Sequence, residues 1–187
     1  QSVVVPADSL PEPEPLNQIV GNGGIAPKET GGIAAVVGQG LLEDFPAVLG
    51  LRPRQAKGHI GIGGSVTGEA LVAQDNFSAR YDLDRINGTF SRESHALFGQ
   101  SYNGKVLVLN IAKGGVATAW MLRAMKETGV TPLALLLNYA NPIMAQGAAF
   151  ADFPMIDRFE EDITQLIRTG DTVTVDPAAG TVTVNSD

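Results

Sequence analysis

Lys113, Gly114 and Gly115 stand together in NIAKGGVATAW (110–120), where an aliphatic run hands over to a helical pattern. Backbone N–H groups at a helix start carry partial positive charge and attract anions. Glycine lets a ligand approach the backbone closely, and Lys113 adds a full charge. The chemistry on offer is recognition of a carboxylate or phosphate. A second turn of this kind, Tyr139–Pro142, adds Asn141 as a candidate substrate contact beside Lys113, Gly114 and Gly115. Hydroxyl groups are scarce here. Thr118 is the only one in the loop and first helical turn, and Ser78 lies in another segment; these two are the candidates for a catalytic hydroxyl. Thr118 can equally bond a backbone carbonyl within its own helix.

The local signal is a generic strand–turn–helix, and glycines at such turns also serve tight packing alone. Neither GxxxxGK[ST] nor GxGxxG occurs at this turn, so a Walker loop and a dinucleotide fingerprint are excluded. The chain has no cysteine, which removes a thiol nucleophile and any thiolate-held cluster of its own. His59 and His95, the two histidines, have no ligand spacing and assemble no Ser–His–Asp set, so no metal site is expected. Glu160, Glu161 and Asp162 read as a solvated helix start. A net charge of −7 repels a phosphate backbone, so nucleic acid is not an expected partner. The opening QSVVVPADSLPEPEP lacks the basic and apolar regions of a signal peptide, and no apolar run suits a bilayer. The expectation is a soluble, cytoplasmic protein without a membrane partner.

The elements that must position these residues follow from hydrophobic pattern. KVLVLNI (105–111) and LALLL (133–137) are apolar on successive residues, as strands covered on both faces are. Val116, Ala117, Trp120, Met121, Ala124 and Met125 recur at helical spacing, which predicts a core-facing stripe that includes Trp120. Gly129 is placed to end that helix, with Pro132 beyond it. Asn141-Pro142 predicts a capped helix reaching about Phe150. FPMI (153–156) reads as a third strand, and Ile163, Leu166 and Ile167 as a third helix ended by Gly170. GEALVAQ (68–74) reads as a strand, Asn87-Gly88 as a tight turn, and TVTVDPAAGTVTV as a hairpin. Strand–helix repeats with right-handed crossovers make the central strands parallel. Residues 1–65, proline-rich and then glycine-rich with one short helix between Ile33 and Leu49, read as an N-terminal extension lying on another surface. Residues 66–187 read as the α/β domain.

Residues 66 to 184 resemble the small, swivelling domain or subunit of the aconitase X family of hydro-lyases. The opening GEALV, Ser78 in DNFSARYD, SHALFGQSYNGKVLVL, AKGG, NPIMAQGA and RTGDTVTVDPAAGTVTV carry the resemblance, in this order. It implies a swivelling β/β/α domain with a central, partly parallel sheet. It also implies a large aconitase X-type partner subunit that holds an iron–sulfur cluster, with no cofactor on this chain. Such enzymes dehydrate small hydroxy acids, cis-3-hydroxy-L-proline or mevalonate 5-phosphate among them. The expected role is lid and anion clamp on a cis-3-hydroxy-L-proline-like substrate. The family often carries GRGSSS at the loop, with a serine in proton transfer. Here Lys113 and Gly114 match the arginine and glycine, while Gly115, Val116 and Ala117 fill the serine positions. Two other readings stay open: a non-catalytic carboxylate-binding or regulatory module that has lost the loop serine, and a stand-alone enzyme using Lys113.

Overall fold

Residues 106–109 and 134–137 are each shut off from solvent, which requires cover on both faces of the strands they form. The computed structural model describes residues 54–185, all within one compact unit. In chain order these are strands β1 (Arg54–Lys57), β2 (Val66–Val72), β3 (Leu83–Asp84), β4 (Thr89–Phe90) and β5 (Val106–Ile111), helix α1 (Val116–Thr128), and strand β6 (Ala134–Tyr139). Helix α2 (Pro142–Ala151), strand β7 (Met155–Asp157), helix α3 (Ile163–Leu166) and strands β8 (Thr172–Asp176) and β9 (Thr181–Asn185) complete the set. The Ile33–Leu49 helix and the proline-rich arm expected from sequence lie outside the described residues.

The main sheet runs β1-β9-β8-β2-β5-β6-β7. β2, β5, β6 and β7 are parallel, with Ala70 opposite Val106, Leu107 opposite Leu135 and Leu135 opposite Met155. β2 also pairs antiparallel with β8, Thr67 opposite Thr174, so it joins the two halves of the sheet. β9 closes a hairpin on β8, and β1 pairs antiparallel with β9. The segment 54–64, read from sequence as the end of an extension, therefore carries the edge strand of this sheet, and Ile62 bridges to Met155. Its polar sequence RQAK buries only Ala56.

Successive strand residues point to opposite faces, and two cores result. On one face Leu107, Leu109, Leu135 and Leu137 pack against Leu122 and Met125 of α1, Met144 and Ala148 of α2, and Phe77, Phe90 and Tyr102. On the other, Val106, Val108 and Leu136 join Val173, Val175, Val182 and Val184 with Ile163 and Ile167. The buried side of α1 is set by Thr118, Leu122 and Met125, and Trp120 is 56% exposed. The sequence stripe thus placed Trp120 in a core where the fold does not. The cause is α2: Gly147 lies so close to Ala119 that a side chain there would collide with it, and this contact fixes the rotation of α1.

Gly129 ends α1 with φ 76°, its N–H donating to Lys126 O at 3.3 Å. The Asn87-Gly88 turn joins β3 to β4, with Gly88 at φ 70° and its N–H on Asp84 O at 2.9 Å. α3 is a single turn, shorter than its apolar spacing implies.

Candidate functional site

The carboxyl ends of β5 and β6 open onto the starts of α1 and α2, the corner where open α/β sheets hold ligands. Gly115 is the N-cap of α1 in an extended conformation and supplies no side-chain cap, and the first turn has no acidic residue. The Val116 and Ala117 N–H groups at this helix start are therefore left for another acceptor, while Thr118 N donates to Gly115 O at 2.9 Å. Lys113 stands exposed beside them.

Gly114 has φ 110°, and a Cβ there would run into the Thr118 side chain directly below. Thr118 is buried at 3% exposure, so its role is to support the loop from beneath. Asn141 joins the two turns. Its Oδ1 accepts from Met144 N at 2.8 Å and caps α2, while its Nδ2 donates to Ala112 O at 3.2 Å and Gly114 O at 3.3 Å.

The structure brings a third segment to this corner. After β2 the chain runs beside β5, with Phe77 N on Ile111 O at 2.8 Å and Lys113 N on Phe77 O at 2.7 Å. Ser78 follows, buried, its N–H donating to Asp82 Oδ2 at 2.7 Å. Asp82, 1% exposed, takes Arg92 Nη1 on Oδ1 at 3.2 Å, and Arg92 Nε donates to Ser94 Oγ at 3.0 Å. His95 is buried and stacks on Phe90 at 4.6 Å between centroids. Its Nδ1 accepts from Leu97 N at 3.1 Å, so the neutral ring carries its proton on Nε2. Asp75 Oδ2 accepts from Ala96 N at 2.7 Å and lies 4.0 Å from His95 Nδ1.

Asp75, Asn76, Arg92, Ser94, His95 and Lys113 line a cavity of about 130 Å³. Among the described residues, Asn76 Oδ1, Ser78 Oγ and His95 Nε2 are buried atoms without a protein partner. Each such group costs about 1–3 kcal/mol unless something else satisfies it. The sequence reading missed Asp75, Asn76, Arg92, Ser94 and His95. The signal was the polar run SRESH lodged between the buried Phe90 and Leu97.

A third feature flanks the loop. Val116, Ala119, Trp120, Ile143, Gly147 and Phe150 form an apolar groove of about 190 Å³ between α1 and α2. Val116, Trp120 and Phe150 are each more than half exposed. Among the described residues no three His, Asp or Glu side chains group as metal ligands, and no helix is long and apolar enough to cross a membrane.

Residues 55–184 match the family model described as the aconitase X swivel domain. The chain belongs to the aconitase X swivel-domain family. It is the small subunit of a hydro-lyase of the aconitase X type. The phosphomevalonate dehydratase small subunit of Methanocella arvoryzae is 39% identical over 128 residues, covering 68% of this chain and 97% of that protein. The protein of the same name from Methanosarcina mazei is 32% identical over 128 residues, covering 68% of this chain and 89% of its own length. The crystal structure of Thermococcus kodakaraensis aconitase X in its holo-form superposes with a TM-score of 0.67 at 29% identity. That match covers 71% of this chain and 99% of the other. The mixed sheet with its parallel half is the swivel-domain architecture.

Proposed function

We propose that this chain is the lid and anion clamp of a dehydratase, closing over a larger aconitase X-type subunit that carries an iron–sulfur cluster and most of the active site. The observation that carries the reading is the uncapped start of α1, with Lys113 beside it and Asn141 fixing the loop. Removing a proton next to a carboxylate builds negative charge on that carboxylate. Donors held in place beforehand stabilise such charge most, and the α1 start with Lys113 supplies them. Closure of this chain excludes water and completes the site.

A cluster fits poorly on this chain, which has no cysteine and whose described residues group no metal ligands. The loop also lacks a hydroxyl at Gly115, Val116 and Ala117, and the two candidate hydroxyls, Ser78 and Thr118, are buried. Clamping, not proton removal, is therefore the role assigned to this loop. The apolar groove of Val116, Trp120 and Phe150 adjoins the loop and supports its docking against the larger subunit.

The substrate is a small hydroxy acid. The names of the relatives support phosphomevalonate over the hydroxyproline-like compound expected from sequence. The test is to co-express this chain with the large subunit from the same genome and assay both compounds. Turnover of phosphomevalonate that needs both chains is the expected result. A complex that forms but dehydrates neither compound would replace this reading with the non-catalytic binding module.

A further inference from the structure

We infer that the cavity between residues 75–78, 92–95 and Lys113 is a second anion subsite, built to take a phosphate group. The inference deepens the dehydratase reading and rests on it: the α1 start would hold the carboxylate of the substrate, and this cavity its phosphate.

Size argues first. A cavity of about 130 Å³ has room for one anionic head group and not for a whole ligand, whose pockets begin near 300 Å³. Charge and donors argue next. Lys113 makes no ion pair among the described residues. Arg92 spends Nη1 on Asp82 and Nε on Ser94, which leaves Nη2 of its five-donor fork. Asp75 is the one carboxylate in the lining, and its Oδ2 already accepts from Ala96 N. Asp82 lies behind Arg92, paired with it.

The buried atoms without partners argue last. The His95 side chain is 97% buried, and its Nε2–H is a donor with no acceptor in the protein. Asn76 presents a buried amide oxygen without a partner, and a half-turn of that amide puts an N–H₂ donor in its place. The buried His95 donor, joined by the Asn76 amide once it is turned, lies beside two cations and suits the several acceptor oxygens of a phosphate. These atoms are closed to solvent, so a ligand oxygen reaches Nε2 only after a side-chain shift in the cavity wall. Arg92, with 55% of its side chain exposed, makes that shift by giving up its bonds to Asp82 and Ser94. Lys113 belongs to both the cavity and the helix start, so it would lie between the two anions of one substrate.

The experiment is a titration of the full chain, with histidine ring nitrogens labelled, against inorganic phosphate at constant ionic strength. Two histidines make the spectrum readable, and exposed His59 is the internal control. The expected result is a saturable shift of the His95 ring signals while those of His59 stay still. Lys113→Ala, a change at an exposed side chain, should weaken that binding by about tenfold. Acetate in the same titration separates a phosphate site from a general carboxylate site. The inference is overturned by His95 signals that ignore phosphate, as a site filled only by water would give. It is equally overturned by signals that move in step with His59, that saturate as readily with acetate, or that respond alike in Lys113→Ala. Because no partner or turnover is involved, the two readings can fail separately. Phosphate binding without dehydration by the complex sinks the dehydratase; phosphomevalonate dehydration without a His95 response sinks the subsite.

Discussion

The side-chain amide of Asn141 donates to the carbonyl oxygen of Gly114 at 3.3 Å, across the gap between two strand ends. One residue thus caps α2 with its oxygen and holds the loop before α1 with its nitrogen.

Replacing Asn141 separates the two jobs. Asn141→Ala removes both and should lower unfolding free energy by about 1–2 kcal/mol in denaturant titrations. Asn141→Asp keeps the cap, since aspartate caps as well as asparagine. It loses the donor and places a negative charge at the anion loop. Stability close to wild type with weakened substrate affinity is the expected outcome; equal affinity in the two proteins would detach Asn141 from the clamp.

Gly114→Ala meets two obstacles, a left-handed backbone and the Thr118 side chain below. A loss of about 1–3 kcal/mol is expected from thermal or denaturant unfolding. Adding Thr118→Ala removes the hydroxyl in the way and should return part of the loss, because the backbone conformation stays unfavourable. Full recovery would show that φ at position 114 adjusts freely.

Asp162, bonded to Asn138 near the end of β6, gives a pH prediction. The Thr164 hydroxyl, with help from Asn138 Nδ2 and Thr164 N, holds its carboxyl below the usual carboxylate range. A depressed folded-state pKa contributes stability that is fully present above the unfolded value, about 3.9, and is lost as pH falls through the folded value. Asp162→Ala should therefore cost about 1 kcal/mol at neutral pH. The gap from wild type should narrow below about pH 4, measured by unfolding at each pH. A gap independent of pH would mean that the charge on Asp162 contributes nothing.

Trp120 tests the docking face. Trp120→Glu changes an exposed side chain and should leave stability within about 0.5 kcal/mol. Exposed tryptophans at interface centres carry much of the binding energy, so affinity for the large subunit should fall about tenfold or more. Unchanged affinity in a binding titration would move the interface off the α1–α2 groove.

How much of this was legible in the sequence follows from how far each feature reaches. β5, β6 and both main helices were readable because their apolar runs and caps are local. Asn141-Pro142 specified the start of α2 through one side chain and one fixed φ. The side of α1 that faces the core was not readable, because a stripe running from Val116 to Met125 covers more than one face. Only contact with Gly147 decides the rotation. β1 escaped notice because RQAK buries one residue and takes its order from β9. The cavity escaped for a similar reason. Asp75, Arg92 and Lys113 come from three segments, joined by the Phe77–Ile111 and Lys113–Phe77 backbone bonds and by the Arg92–Asp82 and Ala96–Asp75 contacts, none of them local in sequence. His95, set aside in sequence for lack of a nearby ligand residue, finds its neighbours in space.

The pairing of β1 with β9 sets Arg54 opposite Val184, so the two ends of the described domain leave the sheet side by side. Such a unit is portable. A short linker could join Arg54 to Asn185, and new termini could be opened at the Asn87-Gly88 turn, without rerouting a core strand. The same adjacency lets the unit be spliced into a surface loop of another polypeptide. One fold can therefore serve as a free subunit or as an inserted module, with the loops at the carboxyl ends of β5 and β6 left unaltered.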